Sequence, residues 1–362
     1  MSDKKEKAFN QKMMDILNYG ALNLAMGIGY KTGLFDVMAQ MAGPASATEI
    51  AVRANLNQRY VSEWLGVMVT GQIIEIVPGE SKENAYYLPR EHAACLTRGS
   101  GDANLGVYAQ EIPLLTRCAL VEVENGFSSG QGVPFSCYPE FQGFMAELSN
   151  AKHEQVLVNK FLPGVDKGGL VCRLENGMDV CDLGCGEGVA LNLMARHFPR
   201  SNFVGMDTHV AAIRMARAAA VEQGLENVVY QIQDAAQIEG STEFQGRFDY
   251  IMAFDAIHDQ TRPLDALKGV RYMLSPHGMF SMVDIDAGSD HSQNLNHPMG
   301  PFLYTVSLMH CMPVGLVDGG MGLGMMWGRQ KAVELLGKAG FKSIDVIEME
   351  NDPFNVHYFC TR

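Results

Sequence analysis

The sequence predicts an α/β fold, a doubly wound and mostly parallel seven-stranded sheet, preceded by a mainly helical winged-helix domain. Three observations carry this. From Gly177 onward, short apolar runs alternate with helical stretches, the β-α-β texture of a parallel sheet. The first of those runs ends in a glycine-rich turn, Gly184-x-Gly186-x-Gly188, that opens a helix. Before residue 100, three helical segments lead into a short hairpin pattern.

In chain order, residues 8–40 place Met13, Ile16, Leu17, Ala21, Leu24 and Ala25 on one helical face, and a second short helix is expected around Lys31–Met41. After Gly43-Pro44, Ser46-x-x-Glu49 has the spacing of a capping box and starts the next helix. Asn57 caps another, on which Tyr60, Val61, Trp64, Leu65 and Met68 fall together. Gln72–Val77, a turn at Pro78-Gly79 and Ala85–Leu88 read as a hairpin. Only Arg53 and Arg59 lie on the two helices that would have to read a groove, so dimerisation or packing is expected of this winged helix instead of DNA binding. The expected division is 1–100 for the winged-helix and dimerisation domain, 101–170 for a helical connector broken by Gly126–Pro134, and 171–362 for the sheet. Its strands are expected at Met178–Leu183, Asn202–Met206, Val228–Gln233, Tyr250–Phe254, Met279–Asp284, Ser343–Glu348 and Val356–Thr361.

Composition narrows the class. With 47% hydrophobic and 19% charged residues, the chain has too much apolar content for disorder. No apolar run reaches the roughly 18 residues of a membrane span, and no apolar segment follows the basic start, so a cytoplasmic protein with no membrane partner is expected. Residues 1–100 hold ten Lys/Arg and ten Asp/Glu, so the whole −13 falls on the other 262 residues. Neither part offers a basic face for a phosphate backbone, and no nucleic acid partner is expected. The eight cysteines form no CxxC pair and read as reduced thiols. His291, His297, His310 and Cys311 put no three ligands on one element, so no metal is expected.

The chemistry gathers at strand ends. Val180-Cys-Asp-Leu-Gly-Cys-Gly-Glu-Gly188 runs a strand, with acidic Asp182, straight into its glycines, whose missing side chains let a ligand approach the backbone. The spacing lacks the third glycine of a dinucleotide turn and suits a nucleoside without pyrophosphate. Asp207 ends the second strand, where an α/β nucleotide fold places a ribose acid, and Asp234 ends the third, beside an adenine position. Either acid alone could be a helix cap; three successive strand ends of this kind point to a ligand.

This order of motifs, over about residues 177–285, resembles the class I S-adenosylmethionine-dependent methyltransferases, with a Rossmann-like fold. The resemblance implies S-adenosylmethionine as cofactor, its ribose on Asp207, its adenine near Asp234 and Ala235, and its methionine end over Gly184 and Gly186. Asp182, Thr208, Phe254 and Tyr138 are implied around the same cleft. Phe254-Asp-Ala-Ile-His258-Asp259-Gln-x-x-Pro263 resembles the His-Asp segment of small-molecule O-methyltransferases, which also carry a dimerising N-terminal winged helix like residues 30–90 here. That likeness implies a homodimer, a small-molecule methyl acceptor, and His258 as general base. Gln260 stands where that family has an aromatic residue, so an aromatic-ring acceptor is not carried over.

An imidazole with a pKa near neutrality suits removal of a hydroxyl proton, and the transfer otherwise needs only alignment. Asp259 follows in sequence, and Asp255 is an equal candidate to orient the ring. The insertion from His297 to Trp327, rich in Met and aromatics, is placed as a substrate lid or as core, with Phe302, Met309 and Trp327 facing the acceptor. Phe141 and Met145 would close the pocket from the connector. Transfer to nitrogen, sulfur or carbon, or a regulator sensing the cofactor, remain open at this point.

Overall fold

In the computed structural model, which describes residues 2–78, 83–350, 352 and 354–362, the chain forms two units, Met1–Leu114 and Leu115–Arg362. The first begins with one long helix, Ser2–Lys31, then Leu34–Ala39, Ala47–Ala54 and Gln58–Thr70. Two short antiparallel strands follow, β1 (Glu75–Pro78) and β2 (Asn84–Tyr87), with Glu75 opposite Tyr87. Gly79 of the expected turn lies outside the described residues.

Local signals act as written. The Ser46 hydroxyl accepts from the Glu49 N–H, and the Glu49 carboxylate accepts from the Ser46 N–H at 2.8 Å, closing the capping box. Asn57 Oδ1 accepts from the Arg59 N–H at 3.0 Å. Val61, Trp64, Leu65 and Met68 are buried, and the Trp64 indole donates to the Ala25 carbonyl. Tyr60 departs from the expected face and is 81% exposed: it sits in the first turn, off the Val61–Leu65–Met68 stripe. Met13, Ile16, Leu17 and Leu24 are also exposed, and of that expected face only Ala25 is buried.

The second unit holds β3 (Asp179–Leu183), β4 (Asn202–Asp207), β5 (Val228–Ile232), β6 (Phe248–Phe254), β7 (Leu274–Ile285), β8 (Ser343–Glu348) and β9 (Asn355–Thr361). They form one sheet in the order β5-β4-β3-β6-β7-β9-β8, parallel except that β9 runs antiparallel to both neighbours. All seven expected strands are present. β9 starts one residue earlier than expected, and β6 and β7 start earlier by more, because Phe248 pairs with Leu274 before a register shift leads to the Tyr250–Met279 pairing. Ser275-Pro-His-Gly278 is carried inside the longer β7.

Alternation along buried strands feeds two cores. Ile251, Phe280 and Tyr358 pack on one face with the Pro263–Met273 and Gly328–Ala339 helices, while Tyr250, Met252 and Phe203 pack on the other with the Val189–His197 helix. The chain winds outward from β3 to β5, then returns to β6 on the other side of β3. That reversal opens a crevice at the carboxyl ends of β3 and β6, where ligands of such sheets bind.

Candidate functional site

The crevice is floored by the turn after β3. Gly184 and Gly188 have φ of 75° and 77°, a left-handed conformation that L side chains avoid. A Cβ on Gly184 would lie 2.5 Å from that of Ala256, so the turn and the segment after β6 touch through a missing side chain. A Cβ on Gly188 would strike the Tyr230 hydroxyl, which instead donates within hydrogen-bond distance of the Gly188 carbonyl, at 2.9 Å, and Asn192 Oδ1.

Asp207, at the end of β4, holds this turn in place. Its Oδ2 accepts from the Gly186 N–H at 2.9 Å and its Oδ1 from the His209 N–H at 2.8 Å. Each oxygen keeps lone-pair capacity for a ligand hydroxyl. Asp182 is buried one strand over, and burial, with the Asp207 charge adding, pushes its pKa up to about 8. Asp234 caps the short helix after β5 by accepting from the Ala236 N–H, and also accepts from Arg262 at 2.8 Å. Ala235 is buried, Thr208 is exposed, and Phe254 is half-buried against the edge of Phe161. Glycine turn, Asp207, Thr208, Asp234 and Ala235 therefore lie on three successive loops at one end of the sheet.

Four residues past β6 lies His258, 3% exposed. Its Nδ1 is 2.8 Å from Oδ1 of Asp284, which lies near the end of β7 and is wholly buried. The parallel register that sets Phe254 against Val283 puts the segment after β6 beside Asp284. On the other side of the ring, Nε2 lies 3.4 Å from Asp259 Oδ1, without hydrogen-bond alignment. Burial, the largest single effect, disfavours the imidazolium, but the charges of Asp284 and Asp259 outweigh it and hold the pKa well above its ordinary value.

A wall of rings and sulfur faces this imidazole. His310 stacks on Phe141 with centroids 3.7 Å apart and meets the edge of Tyr138 at 4.7 Å. The Tyr138 hydroxyl donates to the Met309 carbonyl at 2.6 Å. Burial lowers the His310 pKa to about 4, so that ring is neutral. The Cys311 thiol is in hydrogen-bonding contact with His258 and Asp259, and burial raises its pKa to about 12.

Of the residues read from the sequence, Phe141, Tyr138 and Met309 gather around His310, with Tyr138 on the side of Asp259 and Cys311. Met145 is half-buried on the Phe141–Lys152 helix. Phe302 and Trp327 go elsewhere: Phe302 packs with Ile285 and Met326, and Trp327 is part of the core beneath the sheet. Asp284, and not Asp255 or Asp259, makes the short contact that orients His258. Phe135 was not read from the sequence, yet its ring lies 5.3 Å from His209 and 5.6 Å from His310, linking the Asp207 loop to the His258 pocket.

The domains and fold of this chain have counterparts among known proteins. An Rv2258c-like winged HTH domain matches residues 20–98, and a methyltransferase domain matches residues 174–312. A 2-heptyl-1-hydroxyquinolin-4(1H)-one methyltransferase of Mycobacteroides abscessus is 34% identical over 91 residues, 25% of this chain and 37% of that protein. The ribosomal RNA small subunit methyltransferase C of Escherichia coli is 34% identical over 80 residues, 22% of each chain. The matched stretches thus span well under half of those relatives. Among solved structures, human N-acetylserotonin methyltransferase in complex with SAM superposes with a TM-score of 0.69 at 16% identity, over 98% of this chain and 97% of that one. A mitomycin 7-O-methyltransferase superposes with a TM-score of 0.68 at 14% identity, over 99% of both chains. The chain therefore joins a winged helix-turn-helix domain to a methyltransferase domain with the class I S-adenosylmethionine-dependent fold.

Proposed function

We propose that this protein is an S-adenosylmethionine-dependent methyltransferase of a small molecule, acting on a hydroxyl oxygen with His258 as general base. The observation that carries this reading is the buried His258–Asp284 pair beside the glycine turn, to which Ala256 is fitted against Gly184. The residues suit the cofactor: three left-handed glycines after β3 that present bare backbone, the Asp207 carboxylate for two ribose hydroxyls, and Ala235 and Asp234 at the adenine edge. Asp182, Thr208 and Phe254 complete that side. S-adenosylmethionine supplies an electrophilic methyl on a sulfonium whose leaving group is already activated.

The chain's work is then alignment and proton removal. With Nδ1–H given to Asp284, the neutral ring presents its Nε2 lone pair to the acceptor hydroxyl. Nε2 would take the proton of the acceptor hydroxyl and so leave its oxygen free to act as nucleophile toward the methyl that the bound cofactor would supply. Asp284 stabilises the imidazolium so formed. Phe141, Met145, Met309 and Tyr138 bound the acceptor side and exclude water. The test is methyl transfer from labelled cofactor to components of a cell extract, with His258→Ala as the control that should fail.

We also propose a homodimer through residues 1–100. The exposed Met13, Ile16, Leu17 and Leu24 make an apolar stripe that a second copy would cover. Arg59 is paired with Glu63 on its own helix, which leaves little basic charge for a DNA backbone. No helix among the described residues is long and apolar enough to cross a membrane.

A further inference from the structure

Two dipeptides 52 residues apart, His258-Asp259 and His310-Cys311, meet in the pocket. One follows β6; the other ends the π-helical stretch Ser307–Cys311 of the insertion. Donor atoms of His258, Asp259 and Cys311 lie within 4.8 Å of one another. His310 Nδ1 is 4.0 Å from Asp259 Oδ2. Both His310 ring nitrogens and Asp259 Oδ1 are buried without a hydrogen-bond partner in the structure. Buried polar atoms left this way cost free energy unless something pairs with them.

We propose that His258 Nε2, an Asp259 oxygen and Cys311 Sγ bind one divalent transition-metal ion, Zn²⁺ foremost, with His310 turning in as fourth donor. The donor set selects the ion. A thiolate disfavours Mg²⁺ and Ca²⁺, while a mix of N, O and S suits tetrahedral Zn²⁺. Metal–ligand distances of about 2.0–2.3 Å put neighbouring ligands of a tetrahedron roughly 3.3–3.8 Å apart, so the donors need close by only about an ångström. The 3.4 Å between His258 Nε2 and Asp259 Oδ1 already fits. Asp284 on Nδ1 supplies the carboxylate that commonly steadies a zinc-bound histidine and fixes Nε2 as the ligating atom.

Spacing within single elements hid this set, because each dipeptide contributes half of it. Binding displaces the Cys311 thiol proton and any proton on Nε2, so affinity rises with pH. An ion on Nε2 also fills the lone pair that base chemistry needs. The metal-loaded form and the form competent as a base therefore exclude each other.

The test uses the full chain, stripped with a chelator and titrated with Zn²⁺ alone, without cofactor or acceptor. Its failure would leave the base assignment standing, and failure of the base assignment would leave the metal site standing. The expected result is one equivalent bound with sub-micromolar affinity, competed against a chromophoric chelator. Asp284→Asn should weaken binding about 10–100-fold. A Cys95→Ser/Cys172→Ser variant, lacking the exposed thiols, should bind as wild type, as should His291→Gln. Co²⁺ in place of Zn²⁺ should give a thiolate-to-cobalt charge-transfer band in wild type that Cys311→Ser lacks. Less than half an equivalent bound, loss of binding in the exposed-thiol variant, or a wild-type cobalt spectrum without the thiolate band would overturn the proposal. The cobalt spectrum decides even if Cys311→Ser does not fold.

Discussion

His258 Nδ1 and Asp284 Oδ1 are 2.8 Å apart although 26 residues separate them, and both side chains are buried. A carboxylate in that place fixes the tautomer and raises basicity at the opposite nitrogen. His258→Ala is expected to slow methyl transfer about 10²–10⁴-fold while cofactor affinity stays unchanged. Single-turnover rates with the true acceptor, beside calorimetric titration of the cofactor, check both halves. A defect under about tenfold would favour an acceptor that arrives already deprotonated.

The same pair sets a pH dependence. Since Asp284 and Asp259 hold the His258 pKa well above its ordinary value, the neutral base forms only as pH rises past neutrality. The wild-type rate should climb through that region. Asp284→Asn should move the limb to lower pH, lower the maximal rate and leave the cofactor dissociation constant alone.

Asp207 is expected to bind the ribose, and Asp207→Ala should weaken S-adenosylmethionine binding by roughly 1.5–3 kcal/mol, the scale of hydrogen bonds to a charged group. The carboxylate also holds the Gly186 and His209 amides, so the variant should show faster hydrogen exchange there even without ligand. Unchanged affinity with the fold intact would remove Asp207 from the site.

Glu111, 5% exposed, has its pKa raised by burial from 4.5 to about 8. Between those values the native state holds a proton that the unfolded chain releases, so this group makes stability fall as pH rises through that window. Glu111→Gln should remove that contribution. Its melting temperature should match wild type near pH 4.5 and exceed it increasingly toward pH 8, as calorimetric scans across that range would show.

Leu17, 68% exposed on the first helix, belongs to the apolar stripe assigned to a second copy. Leu17→Glu should convert a dimer near 80 kDa into a monomer near 40 kDa by light scattering, twice and once the chain mass of 39.6 kDa. A wild-type monomer would end the proposal.

Strands were legible where apolar runs sit between turns: β8 matches its expected bounds, and β3 and β4 differ by one residue. Caps were legible because Ser46–Glu49 and Asn57 act within three residues of themselves. What escaped depends on register. Asp284 reads as one more strand-end acid until β6 and β7 are laid side by side, and neighbours in sequence pointed instead to Asp255 and Asp259. His310 and Cys311 sit in a π-helical stretch, whose widened turn breaks the 3.6-residue rhythm by which faces are recognised. Trp327 shows the converse error, an aromatic in a Met-rich segment that went to the core.

The placement of β9 bears on how the molecule is made. It lies between β7 and β8, pairing Val356 with both Asp284 and Glu348, yet it is translated after every other strand. On a ribosome adding about 5–20 residues per second, the strands from β3 to β6 can pair while β7 still has an open edge. The carboxylate behind His258 is therefore secured last, when β9 slots in and closes the sheet. Until then the nascent chain offers the edge that β9 will cover, the seven residues Met279–Ile285, to any other strand in reach.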